Sequence, residues 1–107
     1  MMRAALIVGL LTLTACTELE TAADRTGRQA ATSAVTQVIA INFPQVPKPL
    51  IEVFTRCVID NAQAIEVRAL ASASIVGVDD TTVAVVRDII ARPATQSCLR
   101  TNAPQVL

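Results

Sequence analysis

Reactive side chains are few in this sequence, and their spacing suits no familiar catalytic scheme. There is no histidine and no tyrosine, which removes the usual proton carriers near neutral pH and the base that activates a triad serine. The four serines, Ser33, Ser72, Ser74 and Ser97, stand outside any nucleophile-elbow pattern. Lys48, the single lysine, lies on a proline-rich stretch, a poor base for a Ser–Lys pair. Carboxylates pair at Glu18/Glu20 and Asp79/Asp80, and the second pair is explained by a helix start, whose positive end favours acids. Phosphate-cradling glycine loops and calcium loops do not occur. Without histidine a structural zinc site loses its commonest neutral ligand. The chain therefore reads as a non-enzyme with neither cofactor nor metal.

Cysteine is the exception, at Cys16, Cys57 and Cys98. Met1-Met2-Arg3 is short and positive, and Ala4 to Leu11 is an apolar run. That order is the plan of a secretory signal peptide. The run falls well short of the ~20 residues that cross a bilayer as a helix. Leu13-Thr14-Ala15-Cys16 follows it, and these residues resemble the bacterial lipobox, the pattern read by lipoprotein-processing enzymes. The resemblance covers the first sixteen residues only. It implies a signal peptide over 1–15, a diacylglycerol thioether on the Cys16 sulfur, cleavage between Ala15 and Cys16, and acylation of the new amino group. One acyl chain anchors only marginally, at ~0.8 kcal/mol per buried methylene, whereas two or three hold firmly. Thr17 rather than Asp follows the cysteine, so the family's sorting rule implies the periplasmic face of the outer membrane in a Gram-negative cell. The alternative is an ordinary signal peptide with a cysteine near its end.

Export would place Cys57 and Cys98 in an oxidising compartment, where thiols pair. A bridge between them would close a long loop and stabilise by roughly 4 kcal/mol on the chain-entropy model. Two buried free thiols are the alternative. A thioredoxin-like pair is disfavoured because there is no C-x-x-C.

The elements that must hold these groups read as helices. From Thr17 to about Ile41, Leu19, Ala23, Gly27, Ala30, Ala31, Ala34, Val38 and Ile41 fall on one stripe at helical spacing. The small residues Ala23, Gly27 and Ala31 suggest close packing inside one bundle. The stretch nearest Cys16 could instead be a loose tether. Residues 43–49 contain Pro44, Pro47 and Pro49 and form a stiff connector. A second helix is expected from Pro49 to Ala71, with Leu50, Ile51, Phe54, Val58, Ala62, Ile65 and Ala69 inward and Cys57 on the edge. Glu52, Arg56 and Asp60 read as a solvated salt ladder. Asn61, beside the stripe, either satisfies a neighbouring backbone group or marks a ligand pocket. Residues 72–78 read as a break. A third helix, capped by Asp79 or Asp80, carries Val83, Val86, Ile89 and Ile90 on one face and stops at Pro93. A hairpin from Ile75–Val78 and Thr81–Val86 is the rival, disfavoured because no third strand supports it. Residues 50–98 thus form a disulfide-linked helical hairpin, and 99–107 a polar tail. The fold expected is all-α: a small three-helix bundle after a signal peptide, stapled by one disulfide.

Composition narrows the partners. Phe43 and Phe54 are the only aromatics, and nine basic residues balance nine acidic ones. Such a surface offers neither the basic field nor the stacking platforms of nucleic-acid binders. The leading expectation is a non-catalytic, membrane-tethered interaction or envelope-structural module that meets an unidentified envelope protein. The alternatives are a carrier of small apolar ligands in the periplasm and an inhibitor or immunity-type lipoprotein.

Overall fold

A computed structural model describes residues 24–103, and all its regular structure is helical. The first helix, α1, occupies residues 24–42. It is followed by α2 (Lys48–Asp60), α3 (Ala64–Val76), α4 (Asp80–Ala91) and α5 (Pro93–Asn102). The described residues therefore hold five helices where the periodicity predicts three. Residues 1–23, among them the Leu13–Cys16 stretch that resembles a lipobox, lie outside them.

In α1 the buried side chains are Ala31, Ala34, Val35, Val38 and Ile39, spaced as one face of a 3.6-residue helix. That face is rotated from the predicted stripe: Val35 and Ile39 replace Ile41, which is exposed. Ala31 packs inward, but a Cβ added at Gly27 would meet no atom within 4 Å. The small-residue stripe thus gives close packing at its alanine and open space at its glycine.

The connector turns at Phe43 and buries Val46. Pro47 is the N-cap of α2 and Pro49 lies in its first turn, where a missing N–H costs no helical hydrogen bond. Phe54, Cys57, Val58 and Ile59 point into the core, and Arg87 of α4 lies 5.4 Å over the Phe43 ring. Buried Thr55 meets Thr36 hydroxyl to hydroxyl at 3.2 Å, tying α2 to α1.

The expected long second helix is broken at residues 61–63, and side-chain chemistry shows why. Asn61 donates from Nδ2 to the Cys57 carbonyl at 2.7 Å. Its own carbonyl accepts from Arg92 Nη1 at 3.0 Å, in place of the N–H of Ile65 that a continuing helix would supply. Gln63 then donates its backbone N–H to Glu66 Oε1 at 2.8 Å, half of a capping box that starts α3. The break resets the helical phase. Leu70 and Ala73 become the buried residues of α3, while Ile65 is 72% exposed and Ala69 is exposed too.

The expected break over 72–78 is also displaced. α3 continues through Ser72, Ala73 and Ser74, and ends at Gly77, whose φ of 110° suits a residue without a Cβ. Asp79 caps α4 by accepting from the Thr82 N–H at 3.0 Å. The predicted face of α4 is present: Val86 and Ile89 are fully buried, and Val83 and Ile90 are packed against them. The rival hairpin is excluded, because Thr81–Val86 is helical and Ile75–Val76 ends α3.

Pro93 ends α4 yet opens α5 as its first residue, since a proline suits the first turn as well as it blocks an interior. Of the expected polar tail, the described residues 99–103 are instead part of the fold. Leu99 and Ala103 are fully buried, and α5 packs on both α2 and α4. One core joins all five helices, from Ala31 in α1 to Leu99 in α5.

Candidate functional site

Cys57 of α2 and Cys98 of α5 form the disulfide, with Cα atoms 5.7 Å apart. Cys57 is buried and Cys98 half-buried, so the bond lies where the two helices meet and serves as a staple. Asn61 donates from its side-chain Nδ2 to the Cys57 carbonyl, and its backbone carbonyl accepts from Arg92. The side-chain amide thus satisfies a neighbouring backbone group, the first of the two roles weighed from sequence. Cys16, with Glu18 and Glu20, lies outside the described residues.

Sequence reasoning missed the strongest polar cluster. Arg92 crosses from the α4–α5 corner to Glu66 in α3, at 2.7 Å from Nη1 to Oε1 and 2.6 Å from Nη2 to Oε2. The same guanidinium reaches Asp88 at 3.0 Å. The Arg92 hydrogen bonds hold the Glu66 carboxyl below its ordinary range, against the opposing effect of burial; the Gln63 N–H assists. Glu66 and Asp88 in turn raise the already high Arg92 pKa. Asp79 is likewise lowered, first by the Thr82 N–H and then by the Thr82 hydroxyl. These groups are cap and corner chemistry. Each is spent on holding a helix end.

Grooves between helices mark the surface of the described residues, and three of them are open to solvent. The first, about 530 Å³, runs between α1 and α2 and is lined by Thr32, Thr36, Lys48, Glu52 and Arg56 among others. A second, about 310 Å³, lies between α3 and α4. The third, about 420 Å³, sets Asp24, Gly27 and Arg28 of α1 against Ala64, Val67, Arg68 and Ala71 of α3. Asn61 lines none of them. Among the described residues no three His, Cys, Asp or Glu side chains converge as metal ligands.

What stands out is α3 itself. Its sequence, AIEVRALASASIV, carries two charges, Glu66 and Arg68. Only Leu70 and Ala73 are buried on it, while Ile75 is 84% and Val76 80% exposed. Together with Ile65, Arg68, Ala69 and Ser72 they make up its outward side, aliphatic side chains around one exposed guanidinium. A signal was present in the sequence: this stretch has apolar residues on every side, so one face had to be left over after packing. Among the described residues no helix is long and apolar enough to cross a membrane.

Comparison with protein-family models, with curated proteins and with solved structures finds no match to this chain.

Proposed function

We propose that this chain is a non-catalytic envelope lipoprotein, tethered through acylated Cys16, whose folded part works as a contact surface. The observation that carries the reading is the exposure of three large aliphatic side chains on one helix, Ile65, Ile75 and Val76 of α3. Exposed Ile and Val side chains on one helix mark a surface that meets something. The polar clusters support the same reading, because the Glu66–Arg92 bridge and the Asp79 cap rigidify the helix ends that flank that surface. A tether adds local concentration, so a modest contact surface suffices. The lipobox residues Leu13-Thr14-Ala15-Cys16 supply the tether, and Thr17 favours the periplasmic leaflet of the outer membrane under the family's sorting rule.

Fractionation of cells expressing Cys16→Ser tests the reading. The variant is expected to leave the membrane fraction, with the wild type migrating as an acylated species. Retention of the variant in membranes, with cleavage at an unchanged position, overturns it.

A further inference from the structure

We infer that the groove between α1 and α2 is the face through which two copies of this chain pair, with their α2 helices antiparallel. This face is distinct from the α3 surface, and the pairing needs no tether. Three features of the fold carry it.

The first is the order of charge. Lys48, Glu52, Arg56 and Asp60 follow one another at four-residue steps along α2, and all four are exposed and line the groove. Rows at that spacing are the ridges by which helices commonly pack on one another. Their signs run plus, minus, plus, minus. Reversing such a row gives its complement. A second α2 laid antiparallel therefore sets Lys48 against Asp60 and Glu52 against Arg56 of the other copy, each pair occurring at both ends of the contact. That self-match is what a two-fold, isologous interface requires. A parallel copy in register would set like against like. Within one chain Glu52 and Arg56 meet loosely, at 3.7 Å. Among the described residues Lys48 and Asp60 have no ion-pair partner.

The second is where the end charges stand. Lys48 is the first residue of α2 and Asp60 the last, and the helix has no acid in its first turn and no base in its last. The helix dipole favours the opposite placement, acids at the start and bases at the end. In an antiparallel pair each misplaced charge lies beside the pole of the facing helix that suits it. Lys48 then sits by a C-terminus and Asp60 by an N-terminus. Pairing removes an electrostatic penalty that the single chain carries.

The third is the lining between the helices. Ile51 and Ile59 border it together with Thr32, Thr36 and Thr55. Each threonine hydroxyl already has a partner within the chain: Thr32 donates to the Arg28 carbonyl, and Thr36 meets Thr55. Short side chains of this kind let a second helix come close.

Lys48 is the single lysine, and Asp60 stands at the far end of the same helix, about 18 Å away along its axis. A zero-length carbodiimide link between them can therefore form only between copies. The full chain, purified from cells in mild detergent and mixed from light and isotope-labelled stocks, would be coupled in this way and digested. Light–heavy peptides joining Lys48 to Asp60 are expected. Charge reversal gives a second readout. Lys48→Glu and Asp60→Lys change exposed residues in the sense that the dipole favours, so thermal unfolding by circular dichroism should show each variant folded at least as well as wild type. Each alone is expected to weaken dimerisation at least about tenfold in analytical ultracentrifugation. A mixture of the two variants restores it, as does the double variant Lys48→Glu/Asp60→Lys. A wild-type chain that sediments as a monomer overturns the inference. So do single variants that dimerise like wild type, a mixture that does not recover, and Lys48 links found in native membranes only to a different protein.

Discussion

Arg92 and Glu66 form a forked, two-point ion pair across 26 residues of sequence, and Arg92 also takes the Asn61 carbonyl. One guanidinium therefore closes the end of α2, the start of α3 and the corner between α4 and α5. Arg92→Lys is expected to lower the midpoint of thermal unfolding by several degrees, because an ammonium cannot reproduce the fork. Arg92→Ala should cost more and leave the Glu66 carboxylate with only the Gln63 N–H. Calorimetry on the two variants checks the ranking.

The same pair sets an acid limit. Glu66 is held below its ordinary value of 4.5, chiefly by the Arg92 hydrogen bonds. A carboxyl lowered in the folded state contributes stability above its unfolded pKa and loses it as pH falls through the folded one. The stability lead of the wild type over Glu66→Gln is expected to be constant near neutrality and to shrink below about pH 4.5. Asp79, lowered through its Thr82 bonds, titrates in the same direction. Urea midpoints from pH 7 to pH 3 for wild type, Glu66→Gln and Asp79→Asn would show it. A gap that widens toward acid contradicts the assignment.

Reducing the disulfide should loosen α5 first. The bridge spans 41 residues, for which the chain-entropy model gives ~4 kcal/mol. The double variant Cys57→Ala/Cys98→Ala is expected to unfold at correspondingly lower urea, with amides around Leu99 losing hydrogen-exchange protection before those around Val58. A loss below ~1 kcal/mol would mean that Leu99 and Ala103 hold α5 without the covalent link.

Two residues of α3 should respond oppositely to truncation. Leu70→Ala removes a fully buried side chain and is expected to cost about 3 kcal/mol. Ile65→Ala, on the exposed face, should fall within about 0.5 kcal/mol of wild type. This contrast also measures what the sequence concealed. An unbroken helix from Pro49 to Ala71 would bury Ile65, and that prediction follows from periodicity alone. No proline or glycine stands at residues 61–63 to warn of the break. It depends on an asparagine that bonds back four residues and on an arginine thirty-one positions away. Only the Gln63-x-x-Glu66 spacing was local, and it is the weaker, glutamine form of a capping signal.

Where causes were local, the reading held. Asp79 is the cap of α4, its Val86/Ile89 face is buried, and the two cysteines left after Cys16 are bonded. Pro93 was legible as a boundary but not in its sense, because a proline that ends one helix can equally open the next. The burial of Leu99 and Ala103 follows from that second helix. The α3 surface needed the phase reset to be seen.

Thr95 offers the sharpest test of core chemistry. It is fully buried in the first turn of α5, and its hydroxyl oxygen has no hydrogen-bond partner. Burying an unmatched hydroxyl costs about 1–3 kcal/mol. Valine keeps the shape and the β-branch, and its helix propensity is close to that of threonine. Thr95→Val is therefore expected to stabilise the domain by about 1 kcal/mol, a gain of some 4–8 °C in a domain of this size. Thr55→Val is the matched control: Thr55 is equally enclosed, but its hydroxyl meets Thr36 at 3.2 Å. That substitution should be neutral or destabilising. Equal effects at the two positions would show that the Thr95 hydroxyl is satisfied in solution, by a water or by a rotamer change.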